Sequence, residues 1–171
     1  MTEARNDTTG KSEGLAGLAG KYLTFRLANE EYGLQIMKVQ EIIGMQPVTY
    51  VPRLPRYVRG IVNLRGRIIP TIELRAKFGL ERVADTEKTC IIVVEIMARS
   101  GKVSAGIIVD EVAEVLDIEA GEVSGAPEFG ANMDTGAILG VGIVKGAVKI
   151  LLDVEKALTS RDAMKIAQAA A

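Results

Sequence analysis

The closely spaced acidic residues of this sequence are its best candidates for catalytic groups. Asp110 with Glu114, or Glu111 with Glu114, could form the carboxylate pair that general acid–base catalysis uses. Such a pair works when burial or mutual repulsion drives the two pKa values apart. Here the acids alternate with valines, which indicates that they face water. A small hydrolase or lyase is kept as an alternative hypothesis, and it requires a deep pocket with a carboxylate of raised pKa.

Other side chains that usually perform catalysis are scarce. The 171 residues include no histidine, so the common acid–base group at neutral pH and the common metal ligand are both absent. The only cysteine, Cys90, lies in an apolar run, which excludes an intrachain disulfide and a cysteine zinc site. Ser100, Ser104 and Ser124 lack the flanking glycines of a nucleophile elbow. We therefore predict no metal and no cofactor, and these residue types give the hydrolase or lyase hypothesis little support.

Two glycine-containing stretches resemble phosphate-binding loops but lack their spacing. Gly140–Gly146 has its third glycine one residue late, and a strand rather than a helix is predicted to follow. Gly10-Lys11-Ser12 matches only the end of a P-loop, because Arg5 stands where the first glycine belongs. We predict no nucleotide site at either stretch.

Charge is balanced overall and segregated locally. Lys and Arg number 21 against 22 Asp and Glu, and the net charge of −1 argues against nucleic-acid binding through general basicity. Residues 50–82 hold eight basic and two acidic side chains, whereas residues 110–134 hold eight acidic and no basic ones. The two segments are either solvated faces that attract one another across the fold or docking surfaces.

The elements that must position these side chains begin with a predicted hairpin. Tyr22–Leu27 alternates, with Leu23, Phe25 and Leu27 on one face, which is typical of a half-buried strand. Tyr32–Ile36 alternates again after a polar turn, so the two runs predict an antiparallel pair.

A proline-rich stretch and a short helix are predicted to follow. Pro47, Pro52 and Pro55 exclude regular helix around them. Apolar residues at helical spacing over Tyr57–Leu64 predict a helix that ends near Gly66.

The second half is predicted to contain mostly strands. Pro70, inside the strand-like run Arg67–Leu74, indicates an edge or a bulge. Asp153 is placed to cap a closing helix through Leu158, and Ser160 to cap a second one. The other predicted strands are Thr89–Ala98, Val103–Val109, Val112–Ile118, Leu139–Val144 and Ala147–Leu152.

The domain organisation follows from these short strands. They predict two small β subdomains, barrels or sandwiches, that exchange near residues 79–88 within a domain spanning 21–158. No convincing sequence repeat relates the two halves. Residues 1–20 are predicted to be a disordered leader and residues 159–171 a helical tail. Since the sequence shows no targeting segment and no apolar run of membrane-spanning length, we expect a cytoplasmic protein.

Two charged residues are candidates for an interaction surface. A strand with Val39, Glu41 and Ile43 on one face would set Glu41 between apolar neighbours, where a carboxylate needs a partner. Arg65 stands at the tip of the turn Asn63–Gly66 and offers five donors. By composition alone, an exposed strand glutamate and a solvated turn arginine are the simpler interpretations.

Several long motifs favour an interaction surface over ordinary solvated residues. They are Tyr32–Ile42, Gly60–Pro70, Glu73-Leu74-Arg75, Gly106–Val112, Val115-Leu116, Ala126–Phe129 and Ile150–Lys156. Together, over about residues 20–160, they resemble the chemotaxis coupling protein family, CheW.

The resemblance implies a mainly β fold, with two intertwined five-stranded SH3-like β barrels around a shared hydrophobic core and short helices, one of them C-terminal. It also implies an adaptor without enzyme activity. One surface would bind the cytoplasmic tip of methyl-accepting chemoreceptors, and another the regulatory domain of the histidine kinase CheA, in membrane-associated arrays. A CheW-like scaffold of another chemosensory pathway, such as surface motility or pilus control, is the alternative. Alone, the protein would be a monomer that neither inserts into membranes nor binds nucleic acid.

The resemblance also assigns residues position by position. Glu73 departs from the aspartate of many members, which keeps the charge and lengthens the reach. Ile42 and Ile68 are assigned to the kinase-facing side. The positions associated with receptor or kinase binding are Val39, Glu41, Gly60, Arg65, Gly66, Gly106, Val109, Val112 and Val115.

Overall fold

The protein is built mainly from β-strands, as the sequence predicts. The computed structural model describes residues 17–98, 100–125 and 137–158. One-turn helices α1 (Leu74–Lys77) and α2 (Val154–Ala157) and 3-10 turns at Ile36–Lys38 and Ala120–Glu122 complete the described elements. The strands are β1 (Gly20–Leu27), β2 (Glu30–Gln35), β3 (Val39–Gly44), β4 (Val58–Leu64), β5 (Arg67–Glu73), β6 (Cys90–Ala98), β7 (Gly101–Val109), β8 (Glu111–Ile118), β9 (Val123–Ser124), β10 (Ile138–Val144) and β11 (Ala147–Leu152).

The strands form two sheets, and each sheet takes strands from both halves of the sequence. Sheet 1 has the order β8-β1-β2-β11-β10-β9, and sheet 2 has the order β3-β6-β7-β5-β4. Neighbours pair antiparallel except β2 with β11 and β5 with β7, which are parallel. Sheet 1 therefore has a sixth strand, the two-residue β9, beyond the five that the family resemblance implies.

The chain crosses between the sheets at two places. After β2 it passes through Ile36–Lys38 into sheet 2, and after β7 it returns through Asp110 to sheet 1. The exchange predicted near residues 79–88 is wrong, because β5 and β6 on either side of that segment both lie in sheet 2. Alternation along the sequence reveals a strand but not its distant pairing partner, so the sheet to which each strand belongs was not predictable.

One hydrophobic core lies between the two sheets. Leu23 and Phe25 of sheet 1 pack there with Ile72 and Ile92 of sheet 2. Successive strand residues point to opposite faces, so each sheet also covers a cluster of its own. The cluster of sheet 2 contains Val62, Ile69, Ile91, Val93 and Ile108, and that of sheet 1 contains Tyr22, Ile118, Val123 and Leu151.

Strand β1 is more buried than its sequence indicates. Tyr22 and Thr24, predicted to lie on the polar face, are buried because the cluster of sheet 1 covers that face. The Thr24 hydroxyl satisfies its hydrogen-bonding capacity on the backbone of Glu114, donating to the carbonyl at 2.9 Å and accepting from the amide at 3.2 Å. A buried hydroxyl is tolerated only when it is bonded in this way.

The helix predicted over Tyr57–Leu64 is wrong, because β4 occupies this segment. Val58, Gly60 and Val62 are buried at every second position, which is the period of a strand. Gly60 has no side chain and hides this alternation in the sequence. A Cβ at Gly60 would overlap the carbonyl oxygen of Thr49, whose backbone pairs with Ile61 through bonds of 2.8 and 2.9 Å.

The two halves of the chain repeat one hairpin. β4–β5 is closed by Arg65-Gly66, with φ values of 53° and 82°, and β10–β11 by Lys145-Gly146, with 51° and 79°. Each hairpin leads into a one-turn helix, α1 or α2. The pattern of a glycine followed five residues later by a basic residue and a second glycine occurs in both, at Gly60–Gly66 and Gly140–Gly146. The sequence therefore does contain a short repeat signal at the two hairpins, contrary to the expectation that no repeat relates the two halves.

The closing helix begins as predicted. The Asp153 carboxylate accepts hydrogen bonds from the amides of Glu155 at 3.0 Å and Lys156 at 3.2 Å, which caps α2. No described helix is long and apolar enough to cross a membrane. The second helix predicted at Ser160, the motif Ala126–Phe129 and most of the predicted leader lie outside the described residues.

Candidate docking surface

The β4–β5 turn presents Arg65 at its tip. Leu64 pairs with Arg67 across a two-residue turn in which Arg65 and Gly66 both have positive φ, so the turn is of type I′. The Asn63 side-chain oxygen accepts a hydrogen bond from the Gly66 amide at 2.9 Å. Glycine adopts this conformation without strain. A residue with a side chain, such as Arg65, adopts it at a cost of about 1 kcal/mol in the free energy of folding. Because an arginine at this position is unfavourable for folding, it is a candidate for a functional residue.

Arg65 contacts Glu41 across the two edges of sheet 2. Its Nη2 donates to Oε1 of Glu41, and these residues lie at the turn after edge strand β4 and on edge strand β3. The sheet therefore curls around its own cluster until its edges approach. The Arg65 side chain is 73% exposed and that of Glu41 is 32% exposed. Because water screens the pair, it adds less than about 1 kcal/mol to stability and leaves further guanidinium donors facing solvent.

A bulge in β3 directs Glu41 towards Arg65. The register shifts between Val39, which pairs with Val94, and Glu41, which pairs with Val93. Val39 packs against the core between the sheets, and Ile43 packs against the cluster of sheet 2. Of the three residues that would share one face, Glu41 and Ile43 do so, because their partners Val93 and Ile91 both belong to the cluster of sheet 2. Val39 lies on the opposite face, since the extra residue of the bulge reverses the alternation.

Exposed aliphatic side chains lie on the neighbouring strand positions. Ile42 follows Glu41 on β3 and is 45% exposed, and Ile68, just after the turn on β5, is 44% exposed. Glu41 pairs with Val93 and lies on the face of sheet 2 that carries its cluster, whereas Ile42 pairs with Ile92 and lies on the opposite face, as does Ile68, which precedes Ile69 of the cluster. We call Glu41, Arg65 and Gly66 the Glu41–Arg65 surface, and Ile42 and Ile68 the Ile42–Ile68 face. An exposed ion pair on one side and exposed aliphatic groups on the other suit protein recognition.

A chain of hydrogen bonds next to this surface escaped the sequence analysis. Arg67 Nη2 donates to Ser104 Oγ at 2.8 Å, Ser104 Oγ donates to Gln40 Oε1 at 2.7 Å, and Gln40 Nε2 donates to Glu95 Oε2 at 3.0 Å. The bonds connect four strands and fix Gln40 beside Glu41. The four residues are distant in the sequence and follow no motif, so no signal could have found them.

The predicted residues of sheet 1 form a separate group. Val112 and Val115 lie on β8, an edge strand of sheet 1, whereas the Glu41–Arg65 surface belongs to sheet 2. Val115 is exposed, and Val112 packs against the core between the sheets. In the part of the chain that the structure describes, no hydrogen bond or ion pair joins the two groups. The predicted residues are thus divided between two surfaces.

Three of the predicted binding residues are buried and have no surface to offer a partner. Val109 is 1% exposed in the core between the sheets. A Cβ at Gly106 would lie 2.7 Å from Ile91 Cγ2, and Gly60 makes the close approach to Thr49 described above. Direct contact by Val109, Gly106 and Gly60 is therefore excluded, and these residues instead shape the strands that carry the surface.

Asp110 is not the carboxylate of raised pKa that the alternative hypothesis requires. The pocket beside Asp110 holds only about 20 Å³, and its lining includes Arg59, Glu73 and Arg75. Burial raises the pKa of Asp110, but hydrogen bonds from Arg75 and the Ala28 amide outweigh it, so that this pKa lies below its ordinary value. A catalytic acid needs the opposite shift. Over the described ranges, no three acidic or cysteine side chains are grouped to hold a metal ion.

Two curled sheets around a shared core, with an exposed ion pair and aliphatic residues at one edge, define a protein-binding module. The family model described as the CheW-like domain matches residues 21–162, and the chain belongs to this family of chemotaxis adaptors. The chain is 41% identical to chemotaxis protein CheW of Klebsiella aerogenes over 142 residues, 83% of each chain.

Two further relatives agree with this assignment. Chemotaxis protein CheW of Treponema pallidum is 32% identical over 145 residues, which is 85% of each chain. The crystal structure of the scaffolding protein TtCheW from Thermoanaerobacter tengcongensis superposes with a TM-score of 0.74 at 32% identity, covering 85% of this chain and 96% of that one. The predicted family and the predicted mainly β fold are confirmed.

Proposed function

We propose that this adaptor couples the cytoplasmic tip of a methyl-accepting chemoreceptor to the regulatory domain of the histidine kinase CheA and catalyses no reaction itself. The observation that carries the proposal is the exposed ion pair of Glu41 with Arg65, which sits on an unfavourable turn conformation and adds little to folding. The turn conformation is shared with Lys145, so what distinguishes Arg65 is its exposed pair with Glu41, and we infer that this pair serves binding.

Two faces of sheet 2 would supply the two docking surfaces that coupling requires. Glu41 and Arg65 would bind the receptor tip, and Ile42 and Ile68 would face the kinase. Val115, on the edge strand of sheet 1, extends the contacts to the other side of the protein. Transient signalling interfaces often bury about 1,200 Å² or less, so a few anchors of this kind are enough for specificity. In the cell the complex would lie in membrane-associated receptor arrays.

Binding measurements with purified proteins test the proposal. The full chain is titrated with a receptor cytoplasmic fragment and with the CheA regulatory domain, separately and together, at two salt concentrations. We expect both to bind, and we expect Arg65→Ala to weaken receptor binding at least tenfold while leaving the melting temperature nearly unchanged.

Lys145→Ala is the matched control, because Lys145 occupies the same position in the β10–β11 turn with nearly the same φ. It removes an equal charge from an equivalent backbone site on sheet 1 and should retain receptor binding. Failure of the native chain to bind either protein, or equal losses from the two substitutions, would overturn the proposal. Which native receptor is captured decides between chemotaxis and another chemosensory pathway.

A further inference from the structure

A wide cleft lies on sheet 2 outside the Glu41–Arg65 surface. The segment between β3 and β4 forms one wall, and residues 82–85, after α1, form the other. It is open to solvent, and its lining includes Tyr50, Leu54, Arg56, Arg82 and Val83. None of these five residues belongs to the set that the family resemblance assigns to receptor or kinase binding.

The floor of the cleft offers apolar side chains to solvent. Tyr50 is 74% exposed and Val83 is 47% exposed, while Leu54 and Pro55 are half-buried between them and the core. An exposed tyrosine provides a flat apolar ring at small cost in side-chain entropy, which makes it a frequent anchor for peptides. The floor therefore suits a large apolar side chain.

Two arginines of the cleft are held in place by a buried acid. Glu73 is buried and accepts a hydrogen bond of 2.6 Å from Arg59 Nη2 and another from Arg82 Nη2. Arg59 is fixed further by Asp85, at 2.6 Å. About half of the Arg82 side chain is exposed, so donors that Glu73 does not use face the cleft. These guanidinium groups are already oriented before any ligand arrives.

Two more arginines lie at or beside the cleft: Arg56 belongs to its lining, and Arg53 directly precedes the lining residue Leu54 in the sequence. Arg53 and Arg56 are exposed, and neither makes a hydrogen bond or an ion pair with another residue of the described ranges. The acids at the cleft, Glu73 and Asp85, are instead bonded to Arg59 and Arg82. The charges of Arg53 and Arg56 are therefore not neutralised by a direct ion pair within the described ranges, and they attract a ligand that carries carboxylates.

We propose that this cleft docks an acidic peptide segment of a partner protein, with its carboxylates on Arg53, Arg56 and Arg82 and one large apolar side chain over Tyr50 and Val83. The combination of an apolar floor with fixed guanidinium groups fits such a segment. A nucleic acid is disfavoured, because the chain as a whole carries a net charge of −1. The proposal is independent of the receptor and kinase contacts proposed above.

The absence of tryptophan from the chain makes a direct test possible. The probe is a synthetic peptide of about twelve residues with one central tryptophan flanked by leucine and glutamates, so that all tryptophan emission comes from the peptide. Titration with the full-length protein should shift the emission to shorter wavelength and saturate, with weaker binding at higher salt. The same peptide with glutamine in place of glutamate should bind at least fivefold more weakly.

Charge-matched variants locate the site. Arg53→Gln with Arg56→Gln should weaken peptide binding at least fivefold, whereas Lys21→Gln with Lys145→Gln removes equal charge from sheet 1 and should change it less than about twofold. The first double variant should still bind the receptor fragment and the CheA domain.

Several results would overturn the proposal. They are no emission shift with the native chain, equal effects of the two double variants, equal binding of the glutamine peptide, tighter binding of a single-stranded oligonucleotide, or loss of receptor or kinase binding by the cleft variant. Circular dichroism is used to check that each variant is folded.

Discussion

Arg75 and Asp110 form a two-pronged ion pair where the chain returns from sheet 2 to sheet 1, with Nε 2.7 Å from Oδ1 and Nη2 2.6 Å from Oδ2. Asp110 also accepts a hydrogen bond of 2.9 Å from the Ala28 amide, so one carboxylate joins α1, the β1–β2 turn and the crossover. At the other crossover, Lys38 Nζ lies 3.3 Å from Glu155 Oε1. Arg75 and Glu155 are the second residues of α1 and α2. Each crossover is therefore connected to a short helix by an ion pair. In one pair the helix carries the basic residue, and in the other the helix carries the acidic residue.

Removal of the Asp110 charge should destabilise the fold. In Asp110→Asn the amide cannot accept both guanidinium bonds, and both partners are less than a third exposed, so we expect the free energy of unfolding to fall by about 1–3 kcal/mol. Urea denaturation measures the change. Glu114→Gln, at an exposed acid of the same segment, is the control and should stay within about 0.5 kcal/mol. Equal values for the two variants would contradict a structural role for Asp110.

The same carboxylate predicts how stability depends on pH. The pKa of Asp110 is lower in the folded protein than its ordinary value of 3.8, so its contribution is complete above that pH and is lost as the pH falls through the lower, folded value. The stability difference between the native chain and Asp110→Asn should be constant above about pH 5 and shrink in more acidic solution. Urea denaturation at a series of pH values tests this. A difference that stays constant in acid would show that Asp110 does not titrate as inferred.

Two glycines of the β4–β5 hairpin should respond very differently to alanine. Gly60→Ala sets a Cβ against the Thr49 carbonyl and should cost more than about 3 kcal/mol, since the backbone of the bridge must move. At Gly66 no atom stands within 4 Å of the added Cβ, and only the positive φ opposes it, so Gly66→Ala should cost about 1 kcal/mol. Thermal unfolding compares the two. A loss of only about 1 kcal/mol for Gly60→Ala would mean that the segment around Thr49 is not held against β4.

Much of the fold was predictable because strand periodicity is local. The hairpin of β1 and β2, most strands of the second half and the Asp153 cap all follow from neighbouring residues. The exceptions arise where distant residues decide the outcome. β4 was predicted as a helix because Gly60 conceals its alternation, and the sheet exchange was misplaced because the parallel pairs β2 with β11 and β5 with β7 leave no local mark.

The candidate site was predictable in its residues and not in its arrangement. Glu41 and Arg65 attract attention as a strand glutamate and a turn arginine, but their contact depends on a bulge and on the curl of sheet 2. Arg75 and Asp110 lie in the basic and acidic segments, and their pairing bears out, at one position, the expected attraction across the fold. The partners of Gln40 and of Glu73 carried no sequence signal.

Exchange of the two charges separates the role of the ion pair from the role of Arg65 alone. Glu41→Arg with Arg65→Glu should restore the pair and leave stability within about 0.5 kcal/mol of native. We expect receptor binding to remain lost in this double variant, because a partner that contacts the guanidinium meets a carboxylate instead. Titration with the receptor fragment measures the affinity of the double variant for the receptor. Recovered binding would show that the pair acts only by shaping the edge of sheet 2.

The turn conformation of Arg65 predicts that one substitution can raise the free energy of unfolding and weaken receptor binding at the same time. Asparagine is preferred at the first position of a type I′ turn followed by glycine, so Arg65→Asn should raise the free energy of unfolding by about 0.5 kcal/mol even though the exposed pair with Glu41 is lost. The same change at Lys145, whose φ is nearly equal, should stabilise the fold by about 0.5–1 kcal/mol. Receptor titration should show weakened binding for Arg65→Asn alone. If Arg65→Asn instead destabilises the fold while Lys145→Asn stabilises it, Arg65 serves the structure, and the case for a docking role at this turn loses its basis.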